Sequence, residues 1–250
     1  MSSDAPDFAA ALGLARQAEG WLTDDQAHRL WRAAQRLRAP ARIVEIGSFR
    51  GRSTIVLAAG APAGVDVIAI DPHGGGDRGP QEIAPDAARG EQDHTAFMAN
   101  LQRAGVAERV RHVRSMSREA LAEVPGPVEL LFVDGAHRYR PARDDIERWG
   151  ARVAPGGTML VHDAFNAIGV TLTQLRVLVL SRRWRYCGRS GSLAEYRREG
   201  LAPGAVAANA LRQLAGLSYF GRNMVIKIAL VARAPWLARL VGHRGTDWPY

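Results

Sequence analysis

Short apolar runs alternate with amphipathic stretches through the middle of this chain. The runs cover residues 42–46, 65–70, 110–113, 128–133 and 158–161. Each is rich in β-branched or other apolar residues, and several end at glycine or aspartate, which is typical of buried parallel strands. The segments between them are long enough for crossover helices. The pattern therefore predicts an α/β fold with a doubly wound, mostly parallel sheet.

The flanks of this region follow other patterns. Near the start, Thr23 and Gln26 fit a capping box at the beginning of a helix. Residues 184–188 and 192–197 are predicted to pair as an antiparallel hairpin, and the pattern beyond Gly200 is helical again. We therefore expect three parts, namely an N-terminal helical segment at residues 1–40, a catalytic domain at residues 41–200 and a helical C-terminal extension at residues 201–250.

Composition and charge narrow the class of protein. The 250 residues are 47% hydrophobic, which is enough for one α/β domain with additions. The formal charge of +8 is uneven, because residues 170–250 carry 13 basic and 3 acidic side chains. The single cysteine, Cys187, excludes an intrachain disulfide and a multi-cysteine metal site. Since neither a signal-peptide pattern nor an 18-residue uncharged apolar run is present, we expect a cytoplasmic protein without a spanning helix.

The turn after the first predicted strand carries a distinctive spacing. Gly47 and Gly51 allow the backbone to turn tightly and to approach a ligand, and Glu45 places a carboxylate beside that turn. A dinucleotide site has the spacing G-x-G-x-x-G and binds a pyrophosphate, which Glu45 would repel. A ligand with an ammonium and a sulfonium group would be attracted instead. Asp71, at the end of the second strand, can hold two ribose hydroxyls.

The run from Glu45 to Thr54 resembles the first motif of class I S-adenosylmethionine-dependent methyltransferases, especially the catechol O-methyltransferase-like branch. The resemblance covers residues 41–197 and implies a Rossmann-like methyltransferase fold with a seven-stranded sheet and S-adenosylmethionine as cofactor. It places Glu45 and Gly47 near the methionine moiety and Asp71 at the ribose. The expected cofactor-binding set is Glu45, Gly47, Ser48, Gly51, Ser53, Asp71, Ser115, Met116 and Asp134, of which the two residues after the third strand would contact the adenine.

Acidic and imidazole side chains follow the fourth and fifth predicted strands. Asp134 ends one strand, with His137 three residues later, and Asp163 ends the next. Adjacent parallel strands bring such ends to one rim, where two carboxylates suit Mg²⁺. His137 could abstract the proton of an acceptor hydroxyl, because imidazole titrates near neutral pH. His162 is expected to be a packed histidine or to support a ligand from behind.

This region resembles the metal-dependent sugar O-methyltransferases of natural-product pathways. The resemblance implies that Asp134 and Asp163 are metal ligands and that His137 is the general base. One departure is Ala164, because those enzymes carry a second acidic or amide residue there. The third ligand is therefore open between Asn166, a loop residue and water.

Three functions are consistent with these features. The favoured one is an O-methyltransferase acting on a hydroxyl of a sugar, oligosaccharide or glycosylated metabolite, with a phenolic acceptor as the second option. A nucleic-acid methyltransferase would use the basic tail to bind phosphates, but no N-P-P-Y tetrapeptide or RNA-binding module is evident, so no nucleic-acid partner is expected. A non-catalytic cofactor-binding protein is the third alternative.

The C-terminal extension is strongly apolar and basic between residues 222 and 241. Pro235 should break or kink any helix through it. Packing on the catalytic domain or on a second subunit is the commoner fate of such a helix, and we therefore expect a homo-oligomer, most simply a dimer. Peripheral contact of residues 222–241 with an anionic membrane is the other option.

Overall fold

A single seven-stranded sheet forms the centre of the computed structural model, which describes residues 7–76 and 83–243. The strand order is β3-β2-β1-β4-β5-β7-β6. Strands β1 to β5 pair in parallel, and β7 pairs antiparallel with both β5 and β6. The strands are β1 Ala41–Ile46, β2 Val65–Ile70, β3 Val110–Val113, β4 Val128–Val133, β5 Val153–Val161, β6 Trp184–Ser190 and β7 Leu193–Arg198.

Helices cover both faces of the sheet and form the C-terminal extension. They are α1 Phe8–Ala15, α2 Asp24–Gln35, α3 Arg52–Gly60, α4 Ala87–Arg103, α5 Ser117–Glu123, α6 Tyr139–Gly150, α7 Ile168–Thr173, α8 Pro203–Leu214, α9 Leu217–Val231 and α10 Pro235–Leu240. Residues 77–82, between β2 and α4, lie outside the described residues.

The predicted doubly wound α/β fold is confirmed. All five parallel strands and the terminal hairpin lie where the apolar runs placed them. Strand β5 begins five residues earlier than its run, at Val153, because Val153 pairs with Val128 before an irregularity at Pro155 and two glycines, where the apolar pattern is interrupted. The Thr23 side chain accepts from the Gln26 amide, so the capping box of α2 is also confirmed.

Alternate residues of the strands pack into two separate cores. Ile43 and Leu130 point to one face, where they join α2, α3 and α4. Val44 and Leu131 point to the other face, where the fully buried Trp149 of α6 is the largest side chain. Burial of both faces explains why these strands are nearly continuous apolar runs rather than alternating ones.

Within residues 201–243, the C-terminal extension forms three helices. Residues Pro203–Val231 are long and apolar enough for a spanning helix by length and composition, with a mean hydropathy of 1.2. The helix is interrupted at residues 215–216, between α8 and α9. A second interruption precedes Pro235, which begins α10 as expected for a residue that cannot continue a helix. Helices α9 and α10 share a small cluster of Ile226, Ala229 and Ala238.

Candidate active site

The carboxyl ends of β1, β2, β4 and β5 open into one cavity of about 350 Å³. Ligands of open α/β sheets bind at this edge, and the volume lies within the usual range for small-molecule sites. Of the predicted site residues, the wall includes Gly47, Asp71, Met116, Asp134, His137 and Asp163.

Gly47 joins the two halves of the site. Its φ is +83°, and a Cβ at this position would lie 2.2 Å from the Asp134 carbonyl oxygen. The Gly47 amide donates to the Ile70 carbonyl and the Asp134 amide donates to the Ile46 carbonyl, each at 2.8 Å. Because only glycine tolerates both the left-handed backbone and this approach, Gly47 sets the spacing between the β1 and β4 turns.

Glu45 does not reach the cavity. The side chain is fully buried, and its carboxyl group accepts hydrogen bonds from the Ser53 and Thr54 hydroxyls in the first turn of α3. Burial raises the pKa of Glu45 to about 8, although the two hydroxyls oppose the shift. The Glu45 and Ser53 side chains thus bond to each other at the start of α3, and their contact with the cofactor stays a prediction.

Asp71 lines the cavity and holds the turn after β1. Its Oδ2 accepts from the amides of Ser48 at 3.0 Å and Phe49 at 2.8 Å, and its Oδ1 accepts from the His73 amide at 2.7 Å. Phe49 and His73 both have positive φ, at 45° and 48°. The carboxylate thus stabilises two strained turns, while contact with a ribose stays a prediction.

The remaining predicted cofactor residues lie at different depths. Met116 is exposed on the cavity wall, whereas Gly51 and Ser115 lie outside that wall. Gly51 instead begins α3 with a φ of +87°, and a Cβ there would press on Phe97. Ser48 is buried beside Gly47, and its hydroxyl has no hydrogen-bond partner among the described residues. Ser48 itself is not on the cavity wall, so its contact with the cofactor stays a prediction.

Two aspartates and two histidines form a compact cluster at the ends of β4 and β5. His137 Nε2 lies 2.8 Å from Asp163 Oδ2. His162 Nδ1 lies 3.0 Å from Asp134 Oδ1 and 3.4 Å from Asp163 Oδ2. Asp163 has a φ of +54°, which turns its side chain toward both imidazoles. The predicted proximity of Asp134, His137 and Asp163 is therefore observed.

The charges of this cluster support one another. Burial lowers the pKa of His162, but the charges and hydrogen bonds of Asp134 and Asp163 raise it by more than burial lowers it. The pKa of His162 therefore lies well above its usual value. Burial also lowers the pKa of His137, but Asp163 raises it by more, so the pKa of His137 lies above its usual value. In turn, burial raises the pKa of Asp163, but His162 and His137 hold it well below its usual range. The arrangement can therefore bind a cation or accept and release a proton.

Asn166 hydrogen-bonds to Asp163, and polar side chains of distant segments contact Asn166 and His162 in turn. Asn166 donates to Asp163 Oδ1 at 2.7 Å, and Asn223 of α9 donates to Asn166 Oδ1 at 3.1 Å. Lys227 of α9 donates to the Asn166 carbonyl at 2.9 Å. Gln26 of α2 lies 3.4 Å from the other nitrogen of His162. Asn166 thus orients Asp163 instead of occupying a free ligand position.

Sequence reasoning missed the roles of two contributors to the site. His162 was expected to be packed or supporting, yet its imidazole lies between the two carboxylates and lines the cavity. Trp21, from the N-terminal segment, also lines the cavity, with its ring 5.3 Å from that of Phe49. Only the repeated pairing of Asp with His after strands β4 and β5 could have indicated His162, and no local signal pointed to Trp21.

A divalent cation fits the cluster. Asp134, His162 and Asp163 each offer one ligand atom, and these atoms lie within 4.8 Å of one another. Magnesium prefers oxygen ligands, whereas imidazole suits transition metals such as zinc or iron. Among the described residues, the donor set is therefore mixed rather than ideal for Mg²⁺.

Solved structures of O-methyltransferases have folds similar to this one. An O-methyltransferase from Bacillus cereus, in complex with SAH, covers 78% of this chain and 93% of its own, with 15% identity and a TM-score of 0.57. The O-methyltransferase TomG from Streptomyces achromogenes, in complex with SAM, covers 80% of this chain and 92% of its own, with 20% identity and a TM-score of 0.52. The sheet and its helices therefore have the class I methyltransferase fold.

Residues 44–164 match the family model of a methyltransferase domain. A catechol O-methyltransferase of Mycobacterium tuberculosis is 32% identical over 123 residues, which are 49% of this chain and 47% of that protein. An uncharacterized protein of Sinorhizobium fredii is 30% identical over 128 residues, or 50% of this chain and 13% of that protein. This chain thus spans less than half the length of each relative. The match of residues 44–164 to a methyltransferase domain agrees with the predicted resemblance.

Proposed function

We propose that this protein transfers the methyl group of S-adenosylmethionine to a hydroxyl group of a small acceptor. The observation that carries the proposal is the pair of His137 and Asp163, 2.8 Å apart on the wall of the cavity that also contains Gly47 and Asp71. An alcohol is a poor nucleophile until its proton is removed. A buried Asp–His pair beside the cofactor turn is suited to that step, and the non-catalytic alternative does not account for it.

His137 is the general base in this mechanism. With Nε2 protonated and donating to Asp163, the lone pair of the imidazole lies on Nδ1. The cofactor, when bound, supplies an electrophilic methyl group on sulfur. As the acceptor oxygen bonds to this carbon, the carbon–sulfur bond breaks and the hydroxyl proton passes to Nδ1. Asp163 then stabilises the imidazolium, because it is anionic over the whole neutral range.

A divalent cation between Asp134 and Asp163 would assist the same step. It would lower the pKa of the acceptor hydroxyl and fix its direction. Mg²⁺ was the cation expected from the sequence, and in this proposal His162 would supply the third ligand. The imidazole makes Mn²⁺, Fe²⁺ or Zn²⁺ worthwhile alternatives in any assay.

A sugar, an oligosaccharide or a glycosylated metabolite is the proposed acceptor. Trp21 and Phe49 present neighbouring rings at the cavity, and such rings offer an apolar face with polar surroundings. Arg138 and Asp145 are polar groups on the same wall. A cytoplasmic location and a homodimer remain further predictions from the sequence.

The test is transfer of labelled methyl from S-adenosylmethionine to a panel of sugars, glycosides, phenols and RNA, with and without chelator. We expect transfer to a glycoside, and loss of activity in chelator that Mg²⁺ or Mn²⁺ restores. Full activity in chelator would contradict the role of the cation, but it would leave the proposed methyltransferase activity intact. If only RNA is methylated, the acceptor is nucleic acid and the proposal of a small acceptor is wrong.

His137→Ala tests the base directly. We expect turnover to fall at least about 10²-fold while affinity for S-adenosylhomocysteine stays unchanged, because the base acts only in the transition state. The matched control is His28→Ala, since His28 is exposed on α2 and packs on Phe8. An unchanged pH profile and turnover in His137→Ala would contradict this role.

A further inference from the structure

Exposed apolar side chains are concentrated on the C-terminal part of the chain. Of the eleven large hydrophobic side chains exposed in the described residues, nine lie between Ile168 and Leu240. Val231 at the end of α9 is 73% exposed, and Trp236 and Leu240 of α10 are 63% and 74% exposed. Trp236 and Leu240 are four residues apart and therefore share one face of α10. Isolated exposed side chains need no explanation, but this concentration does.

The charge of the same segment has one sign. Residues 201–243 carry five cations and no carboxylate. Arg212, Arg233 and Arg239 are exposed, and within residues 7–76 and 83–243 none of them forms an ion pair with a carboxylate. We call the exposed side chains of α8, α9 and α10 the extension surface. It is both apolar and basic.

Buried amides attach the extension to the domain. Asn209 of α8 accepts from the Tyr186 amide at 2.8 Å and donates to the Trp184 carbonyl at 3.0 Å, both on β6. Asn223 of α9 donates to Asn166. These polar contacts hold one side of α8 and α9 on the protein, so the segment cannot cross a bilayer while the domain is folded. An amphipathic surface of this kind, attached on one side, can lie in the plane of a membrane interface.

We propose that the extension surface docks on the face of an anionic lipid bilayer. Its arginines match anionic headgroups in charge, and Trp236 and Leu240 would enter the boundary between headgroups and acyl chains. A second copy is disfavoured, because two such surfaces would bring cations against cations. Nucleic acid would leave the aliphatic side chains without a partner.

The docked surface lies next to the candidate active site. Lys227 donates to the Asn166 carbonyl, so Ile168 and Ile228, which are both exposed, lie close to this bond. A bilayer on the extension surface would thus place the cavity near the membrane. This consequence rests on the proposed function and favours an acceptor attached to a lipid, whereas docking itself does not depend on catalysis.

Flotation of the full chain with vesicles tests the docking. We expect binding to phosphatidylcholine vesicles that contain about 30% phosphatidylglycerol, and little binding to phosphatidylcholine alone. The double variant Arg233→Gln/Arg239→Gln should bind about 30-fold more weakly, since each surface cation contributes several-fold. Trp236→Ser/Leu240→Ser should lose at least about 10-fold while the circular dichroism spectrum stays unchanged.

Matched controls separate this effect from general charge and hydrophobicity. Arg32→Gln/Arg118→Gln removes two exposed arginines elsewhere, and Met98→Ser removes an exposed apolar side chain of α4. Both should bind vesicles like the unaltered protein. The proposal is overturned if the unaltered protein ignores anionic vesicles, or if all variants bind equally. It is also overturned if the unaltered protein does not bind vesicles but is a dimer by light scattering, and if the substitutions Trp236→Ser/Leu240→Ser dissociate that dimer.

Failure of docking and failure of the proposed function give different results. Flotation needs neither cofactor nor acceptor, so it can succeed in a protein that transfers no methyl group. Conversely, methyl transfer to a soluble glycoside would survive the loss of vesicle binding.

Discussion

The β1–β2 end of the site and the β4–β5 end each present two carboxyl groups, but their surroundings differ. Glu45 and Asp71 accept hydrogen bonds from hydroxyls and backbone amides of the turns beside them. Asp134 and Asp163 instead face the imidazoles of His137 and His162. The first end is therefore held by neutral donors, and the second by groups that titrate.

This difference suggests that the β1–β2 end holds the shape of the pocket and that the β4–β5 end carries out the reaction. The hydroxyl and amide donors at the β1 turn do not themselves titrate, which suits a pocket that must match a cofactor. Imidazoles can release or accept a proton and can yield to a cation, which suits reaction. Gly47 places the two ends in contact, so a rigid turn positions the reactive one.

The largest expected effect comes from Asp163. Asp163→Asn keeps the volume of the side chain but removes the charge that both imidazoles face, so we expect turnover to fall about 10³-fold. Affinity for S-adenosylhomocysteine, measured by calorimetry, should change little. Asp66→Asn, at an exposed position of β2, is the control. A loss of less than tenfold would show that the β4–β5 end is not the reactive one.

Glu45→Gln should change how stability depends on pH. The pKa of Glu45 is about 8 in the folded protein, against 4.5 for the ordinary group. The unfolded chain therefore binds fewer protons between pH 4.5 and 8, and stability contributed by Glu45 is lost as pH rises through this window. As pH rises through this window, the unfolding free energy of the unaltered protein should fall relative to that of the variant by roughly 3–5 kcal/mol.

Urea unfolding at pH 5 and at pH 8.5 measures this difference. Glu123→Gln, in which an exposed glutamate is changed, should show no such trend. If the two unfolding curves of Glu45→Gln and the unaltered protein keep the same separation at both values, Glu45 is ionised in the fold and the contrast between the two ends is weaker.

Asp71→Ala should weaken S-adenosylhomocysteine by about 1–3 kcal/mol. The change leaves the amides of Ser48, Phe49 and His73 without their acceptor, so the cofactor turn loses its order. Asp66→Ala on the same strand is the control. Calorimetry that finds equal affinity in both variants would remove Asp71 from the cofactor site.

The smallest effect is expected at Asn223. Asn223→Ala removes the hydrogen bond to Asn166, which in turn orients Asp163, so turnover should fall about two- to fivefold. Cofactor affinity should not change, and the pH profile should shift because Asp163 is less firmly held. Asn209→Ala is the matched control, because Asn209 is equally buried but is bonded to β6. Equal loss of turnover in both variants would indicate a purely structural role.

Much of the fold could be predicted because its signals are local. A buried parallel strand needs a short apolar run, a helix start needs a cap, and both are visible within a few residues. The placement of Asp134, His137 and Asp163 at one rim followed from the same logic, since neighbouring parallel strands end together. Strand β5 shows the limit, because the pairing of Val153 with Val128 lies beyond an irregularity at residues 154–157, where the side-chain pattern gives no signal.

Side-chain partners were decided only by tertiary structure. The sequence by itself determined the order of the elements, the glycine turn after β1 and the acidic residues at the strand ends. It did not determine that α3 hydroxyls enclose Glu45, or that His162 enters between two aspartates. Nor did it bring Trp21 and Asn223 to the site, since each is remote in sequence from the residues it meets. Periodicity reports which face a residue occupies, whereas burial, charge pairing and ligand access depend on elements that are distant in the chain.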